Sequence, residues 1–98
     1  MIDIEFYGDK QEDGTRELLE TYHFTKAKKF TRRHYKAALL RLDVLRDLYT
    51  DRKYVKAMVF NDDKYAFCIE SFSLTFGDDT VVYYSIKGDI RRHYQVKH

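Results

Sequence analysis

The stretch FTRRHYKAALLRLDVLRDLY, residues 30–49, decides how the rest of the chain can fold. Thr31 can cap the start of a helix, and Phe30 and Tyr35 have the spacing of a hydrophobic staple around that cap. Apolar residues then fall on one broad arc of the helix, and charged residues fall on the other. The apolar arc consists of Ala37, Ala38, Leu42, Val44, Leu45, Leu48 and Tyr49. We therefore predict one amphipathic helix packed on a sheet by this arc, with the stem of Arg41 covering part of it.

The segments on either side of the helix have the alternation and the turn residues of strands. Strands are predicted at residues 2–7, 17–29, 54–60, 64–76 and 80–86, with 90–96 as a candidate final strand. Residues 17–29 also fit a helical turn in their first half, but aromatic and β-branched residues favour a strand hairpin with 2–7. The fold class is therefore α+β: one amphipathic helix on a mostly antiparallel sheet, in the order β-β-α-β-β-β with that candidate final strand.

The long strand 64–76 changes its apolar phase midway along its length. Its apolar residues are at odd positions first and at even positions later, namely Tyr65, Phe67 and Ile69, then Phe72, Leu74 and Phe76. A pattern of period two cannot change phase without an extra residue. We therefore predict a bulge or a sharp bend near Glu70 and Ser71.

Composition indicates one small folded domain over residues 1–98. Of the 98 residues 44% are apolar, and the 16% that are aromatic are nine Tyr and seven Phe. The single cysteine, Cys68, excludes an intramolecular disulfide and a zinc site made of several cysteines. The sequence shows no signal peptide and no apolar run of the ~20 residues that span a membrane. We expect a cytoplasmic protein, in the host cytoplasm if a phage encodes it, with no membrane partner.

The net charge of +2 is small, but it is unevenly distributed. Residues 1–24 carry seven acids against two bases, whereas residues 25–36 carry six bases and no acid. The balance is acidic again over 61–80 and basic over 81–98. Alternating blocks of this kind indicate separate acidic and basic surfaces.

The tetrapeptide Arg-Arg-His-Tyr occurs twice, at residues 32–35 and 91–94. Both copies combine guanidinium groups, which bind phosphate or carboxylate, with rings that can stack on a base. The first copy lies at the predicted helix N-terminus, where free backbone N–H groups favour anions. In the alternative interpretation, the arginines pair with the acidic N-terminal block and the tyrosines belong to the core. The candidate residues for binding nucleic acid or an acidic partner are Lys26, Lys28, Lys29, Arg32, Arg33, His34, Lys36, Arg91, Arg92 and His93.

No pattern predicts a catalytic site, a metal site or a cofactor. The four histidines lack the spacing of metal ligands, and the two Asp-Asp pairs occur in predicted turns. Residues 79–84 followed by 91–94 resemble the last strands of small RelE-type mRNA-cleaving toxins. The resemblance implies metal-free acid/base catalysis by late-sheet Arg, His and Tyr side chains, although the helical hairpin that follows the first strand in that family is not evident.

These observations favour a non-enzymatic binding or regulatory module that engages nucleic acid or a nucleoprotein assembly through its basic patch. The alternative is a stoichiometric inhibitor or adaptor that binds protein without touching nucleic acid. In its small size, lack of Pro and content of Lys, Asp and Tyr the chain resembles accessory proteins of phages and mobile elements. Such proteins often act by covering a functional surface of a host protein, including CRISPR effectors. The acidic and basic surfaces could also meet in a homodimer, and RelE-like ribonuclease activity is the third hypothesis. The deciding observation is whether residues 26–36 and 91–97 share one face.

Overall fold

A computed structural model describes residues 1–10, 12–49 and 55–95. Its elements are β1 (Ile2–Lys10), β2 (Arg16–Phe24), β3 (Phe30–Thr31), α1 (Arg32–Tyr49), β4 (Lys56–Asn61), β5 (Lys64–Phe76), β6 (Asp79–Gly88), a 3-10 turn (Ile90–Arg92) and β7 (Tyr94–Gln95). The predicted α+β class and the order β-β-α-β-β-β are confirmed, and β3 and β7 are added to it. Tyr54 and Val96, which were assigned to strands, lie outside the described residues.

Five strands form one antiparallel sheet in the order β2-β1-β4-β5-β6. The predicted hairpin of the first two strands is present, but β2 ends at Phe24 because the chain turns there, with Ala27 N donating to the Phe24 carbonyl. The turn between β4 and β5 consists of Asp62 and Asp63, which both have positive φ angles of 51° and 66°. Tight two-residue hairpins require this backbone conformation.

The core lies between one face of the sheet and the inner face of α1. Its members are fully or almost fully buried: Ile2, Ile4 and Phe6 of β1, Ala57 and Val59 of β4, Ala66, Phe67 and Ile69 of β5, Ala38, Leu42 and Leu45 of α1, and Phe30 and Val55. Each large member contributes about 1.5–3 kcal/mol through the apolar surface it removes from water. These contacts fix the helix across the sheet and thereby fix the position of its N-terminus.

The apolar arc predicted for the helix is wrong at two positions. Val44 and Leu48 are 40% and 64% exposed, and Leu40 is 69% exposed beside them. Residues four apart lie on one side of a helix, and here that side faces away from the sheet. The stem of Arg41 was expected to cover part of the arc. The guanidinium of Arg41 forms a bidentate ion pair with Glu20 of β2. The sheet therefore covers a narrower part of the helix than the apolar pattern suggests.

The predicted bulge near Glu70 and Ser71 is also wrong. From Phe67 to Phe76, β5 pairs with β6 in an unbroken register. The irregularity of β5 lies against β4 instead, where the register shifts between Val59 and Phe60. Phe67 and Ile69 are buried on the helix side, and Phe72, Leu74 and Phe76 lie on the opposite face. Tyr65 precedes the register shift and is half exposed, so it does not share the face of Phe67 and Ile69.

Beyond Glu70, the last residue of β5 that pairs with β4, the β5–β6 hairpin continues as a two-stranded extension. We call this extension, residues 71–76 and 79–84, the arm. The Tyr84 hydroxyl donates a hydrogen bond to Asp43 of α1, so Tyr84 is on the helix side of the arm. Its neighbour Tyr83, with Phe72 opposite, therefore points to the other side.

The candidate final strand 90–96 divides into the 3-10 turn and the short strand β7. Gly88 ends β6 with a φ of 115°, a conformation that other residues rarely adopt. A Cβ atom there would also lie 3.0 Å from the backbone of Phe67. The chain leaves the sheet at this glycine, and β7 pairs with β3 rather than with β6. In the described part of the chain, no helix is long and apolar enough to cross a membrane.

Candidate nucleic-acid interface

The two copies of Arg-Arg-His-Tyr meet in space through the pairing of β3 and β7. These strands are parallel, with Phe30 opposite Tyr94 and Thr31 opposite Gln95. The backbone nitrogen of Phe30 also donates to the carbonyl of His93 over 3.0 Å. Paired strands are about 4.8 Å apart, so the helix start and the second copy lie at the same end of the molecule. Residues 26–36 and 91–95 thus form one region of the fold, and residues 96–97 lie outside the described part.

A cluster of rings around Phe30 holds this region together. Phe30 is fully buried, and its ring centroid lies 5.1 Å from Phe67, 5.8 Å from His34, 6.0 Å from Tyr94 and 6.5 Å from Tyr35. The two tyrosines of the repeat also meet edge to face, with centroids 6.1 Å apart. Edge-to-face contacts of this kind add to the stabilisation that burial alone supplies. Both tyrosines are half-buried and engaged in packing, so neither offers a free face for stacking on a base.

The helix start is capped by a histidine of the first copy. The helix begins at Arg32, so Thr31 occupies the predicted capping position. The backbone nitrogen of Thr31 donates to Nδ1 of His34 over 2.9 Å, and its hydroxyl oxygen lies 3.0 Å from the same nitrogen. Since Nδ1 accepts from the backbone, the proton of a neutral His34 is on Nε2. This is half of a capping box, with His in the position that Glu or Gln usually takes.

His93 of the second copy also has a structural position. Its side chain is half-buried, with a ring centroid 6.4 Å from that of Phe67. Its backbone nitrogen closes the 3-10 turn onto Ile90, and its carbonyl joins β3. The two candidate histidines therefore serve the packing of this region, which leaves the lysines and arginines as its exposed polar groups.

Eight of the candidate residues are exposed cations. They are Lys26, Lys28, Lys29, Arg32, Arg33, Lys36, Arg91 and Arg92, and we call this set the basic end. Among the described residues, no carboxylate forms an ion pair with any member of the basic end. Two acids of the N-terminal block have other partners: Glu20 pairs with Arg41, and Asp3 lies 2.6 Å from Nδ1 of His23.

Two adjoining surface depressions lie in the part of the basic end around the helix start. One has a volume of about 520 Å³ and is lined by His23, Phe24, Thr25, Lys26, Ala27, Arg33, His34 and Ala37. The other has a volume of about 390 Å³ and is lined by Thr31, Arg32, Arg33 and Lys36. Because Arg33 lines both, they form a continuous cationic surface from Lys26 to Lys36.

The remaining cations approach the same end from the paired strands. Lys28 and Lys29 precede β3, and Arg91 and Arg92 precede β7. Since the two strands are parallel, the residues before them lie toward the same end of the pair. A larger depression, of about 680 Å³, lies at the β1–β2 turn and is lined mostly by acids, Glu12, Asp13 and Glu17, with Thr15 and Arg16. Those carboxylates would repel phosphate, so the turn is not part of the interface.

The apolar face of the arm is a second exposed feature, and it was not among the residues predicted from the sequence. Five of its side chains are between 40% and 58% exposed: Phe72, Leu74, Phe76, Val81 and Tyr83. The rings of Phe72 and Tyr83 are stacked 5.5 Å apart on this face. The change of phase in β5 is the sequence signal of this face, because side chains at even positions point away from the helix in a strand without the predicted bulge.

Comparison with known proteins found no family model, no curated protein and no solved structure that matches this chain. Within the described ranges, no group of three His, Cys, Asp or Glu side chains could hold a metal ion.

Proposed function

We propose that the protein is a non-enzymatic module that binds the phosphate backbone of nucleic acid through its basic end. The observation that carries the proposal is the parallel β3–β7 pair. It joins the two copies of Arg-Arg-His-Tyr, so exposed cations from three separate segments share one end of the domain. An anionic ligand stabilises clustered cations that have no carboxylate partner. The regularly spaced phosphates of a nucleic-acid backbone match such a cluster.

The helix start adds to this preference for anions. The first turn of α1 contains no acid and begins with two arginines, which the positive end of the helix dipole disfavours. A phosphate beside Arg32 and Arg33 would relieve that repulsion and could also accept from free backbone N–H groups of the first turn. The site is therefore suited to a bound anion more than to an empty state.

The mode of binding follows from the packing of the tyrosine and histidine rings of the two tetrapeptides. Tyr35, Tyr94, His34 and His93 are occupied by packing and capping, so base stacking contributes little to this surface. We infer recognition of the backbone, which is independent of sequence and strongly dependent on salt. A nucleic acid held inside a nucleoprotein assembly would present the same phosphates.

Oligonucleotide binding in a salt series tests the proposal. Fluorescence anisotropy with labelled single- and double-stranded oligonucleotides should show affinity falling steeply as salt rises. Arg33→Gln and Arg92→Gln should each weaken binding by about three- to tenfold and lower the salt slope by about 1, because each removes one phosphate contact. Lys64→Gln is the matched control, since Lys64 is an exposed cation outside the basic end, at the first position of β5.

Three outcomes would contradict the proposal. One is the absence of binding even at low salt. Another is binding that responds to Lys64→Gln as strongly as to the two arginine variants. The third is binding confined to one base sequence, which phosphate contacts cannot produce.

The arm supports a second candidate function, a protein-binding inhibitor or adaptor. Its exposed apolar face carries no basic side chain, so it suits a protein partner better than nucleic acid. The ribonuclease hypothesis has less support, because His93 and Tyr94 pack around Phe67 and Phe30. Growth arrest on expression that is relieved by replacing His93 and Tyr94 would favour the toxin.

A further inference from the structure

The outer edge of β6 is open. β2 and β6 are the two edge strands of the sheet, and within the described ranges no strand pairs with their outer sides. β2 includes the charged residues Arg16, Glu17 and Glu20, which is a common protection against pairing with another chain. β6 has no charged residue between Asp79 and Lys87, where its sequence is TVVYYSI. An edge without such protection is a template for a further strand.

The charges at the two ends of β6 are complementary to a second copy of the same strand. Asp79 pairs with Phe76 and Lys87 with Cys68, and the odd-numbered residues of β6 share the face that points away from the helix. In an antiparallel pair of β6 strands centred on Tyr83, Asp79 of each copy lies opposite Lys87 of the other. Two-fold symmetry forms this pair twice, once at each end of the strand.

The apolar residues of β6 agree with the same register. Centring on Tyr83 sets the Tyr83 rings of the two copies side by side, and it sets Val81 opposite Ser85. On the helix side, Val82 lies opposite Tyr84. Cross-strand pairs of aromatic and β-branched residues stabilise an antiparallel pair.

Lys87 already has one acidic neighbour within its own chain. Its Nζ lies 2.9 Å from Glu70, and this hydrogen bond raises the pKa of Lys87. A second carboxylate from the other copy would complete a network of one cation between two anions. The lysine thus stays charged and positioned at the strand end where the partner's aspartate would arrive.

We propose that the protein forms a symmetric dimer by antiparallel pairing of its β6 strands, which joins two five-stranded sheets into one. The ten residues of β6 extend over about 34 Å, so edge pairing covers roughly 350 Å² per copy. That area is below the roughly 800 Å² per partner of a stable interface. We therefore expect a weak dimer whose population depends on protein concentration, and its β6 surface contains none of the residues of the basic end.

Sedimentation velocity on the full chain over a wide concentration range, without nucleic acid, tests the dimer. Wild-type protein should change from monomer to dimer as concentration rises. Asp79→Lys and Lys87→Asp should each raise the dissociation constant about tenfold, because a single change turns both symmetric ion pairs into repulsions. The double variant, D79K with K87D, should return the constant to near the wild-type value. Lys64→Asp is the matched control and should leave it unchanged.

Each remaining outcome overturns the inference. A wild-type protein that stays monomeric throughout the range has no such dimer. A dimer that is insensitive to the two single variants uses another surface. Single variants that weaken the dimer without restoration by the double variant exclude this register, and open-ended polymers exclude the two-fold symmetry.

Discussion

Replacing Phe30 with alanine should destabilise the fold more than any substitution at the surface. The side chain is fully buried and contacts four rings, three of which belong to the copies of Arg-Arg-His-Tyr. Removing the ring forfeits about 1.5–3 kcal/mol of transfer free energy, and the cavity among the remaining rings adds to that loss. We expect Phe30→Ala to lower the free energy of unfolding by about 3–5 kcal/mol.

Urea unfolding followed by far-UV circular dichroism measures this change. Phe76→Ala is the matched control, because Phe76 is 58% exposed, and the same substitution there should cost less than about 1 kcal/mol. If Phe30→Ala leaves no folded baseline, Phe30→Leu, with an expected loss of about 1.5 kcal/mol, gives the measurable value. A loss at Phe30 no greater than the loss at Phe76 would refute the role of the ring cluster.

Three further predictions concern an ion pair, a cap and two turns. Hydrogen bonding by Arg41 holds the pKa of Glu20 below its ordinary value of 4.5, so the pair stabilises the fold fully above that pH. The contribution of this pair is lost as the pH falls through the lowered pKa of Glu20. Glu20→Gln should lower the free energy of unfolding by about 1 kcal/mol at pH 7. In urea unfolding at a series of pH values, the variant should also lack this part of the acid sensitivity. His34→Ala should cost about 1 kcal/mol in thermal unfolding, and His34→Gln should cost less because its amide oxygen can accept the same bond. Asp63 and Gly77 have positive φ angles of 66° and 62°. In urea unfolding, Asp63→Gly should therefore raise the free energy of unfolding and Gly77→Ala should lower it, each by about 0.5–1 kcal/mol.

The basic end illustrates why the site could be predicted only in part. Its cations were identifiable because charge and exposure are properties of the residue types themselves. The packing of the histidines and tyrosines in the same tetrapeptides could not be predicted, since a ring at a given sequence position can be either packed or free. Which occurs depends on Phe30 and Phe67, which are 37 positions apart in sequence and meet only in the fold.

The sequence by itself determined the helix from Arg32 to Tyr49, the hairpin turns and the α+β order, because these depend on local periodicity, capping and backbone preferences. Only the tertiary structure decided which part of an apolar pattern is buried. In the described part of the chain, α1 packs against one side of the sheet and no further layer packs on the outer side of α1 or on the arm's apolar face. Val44, Leu48 and that face are therefore exposed. The meeting of the two Arg-Arg-His-Tyr copies was likewise decided in three dimensions. Gly88 turns the chain out of the sheet, and β7 then finds its partner in β3, a pairing between segments more than sixty residues apart that no local pattern encodes.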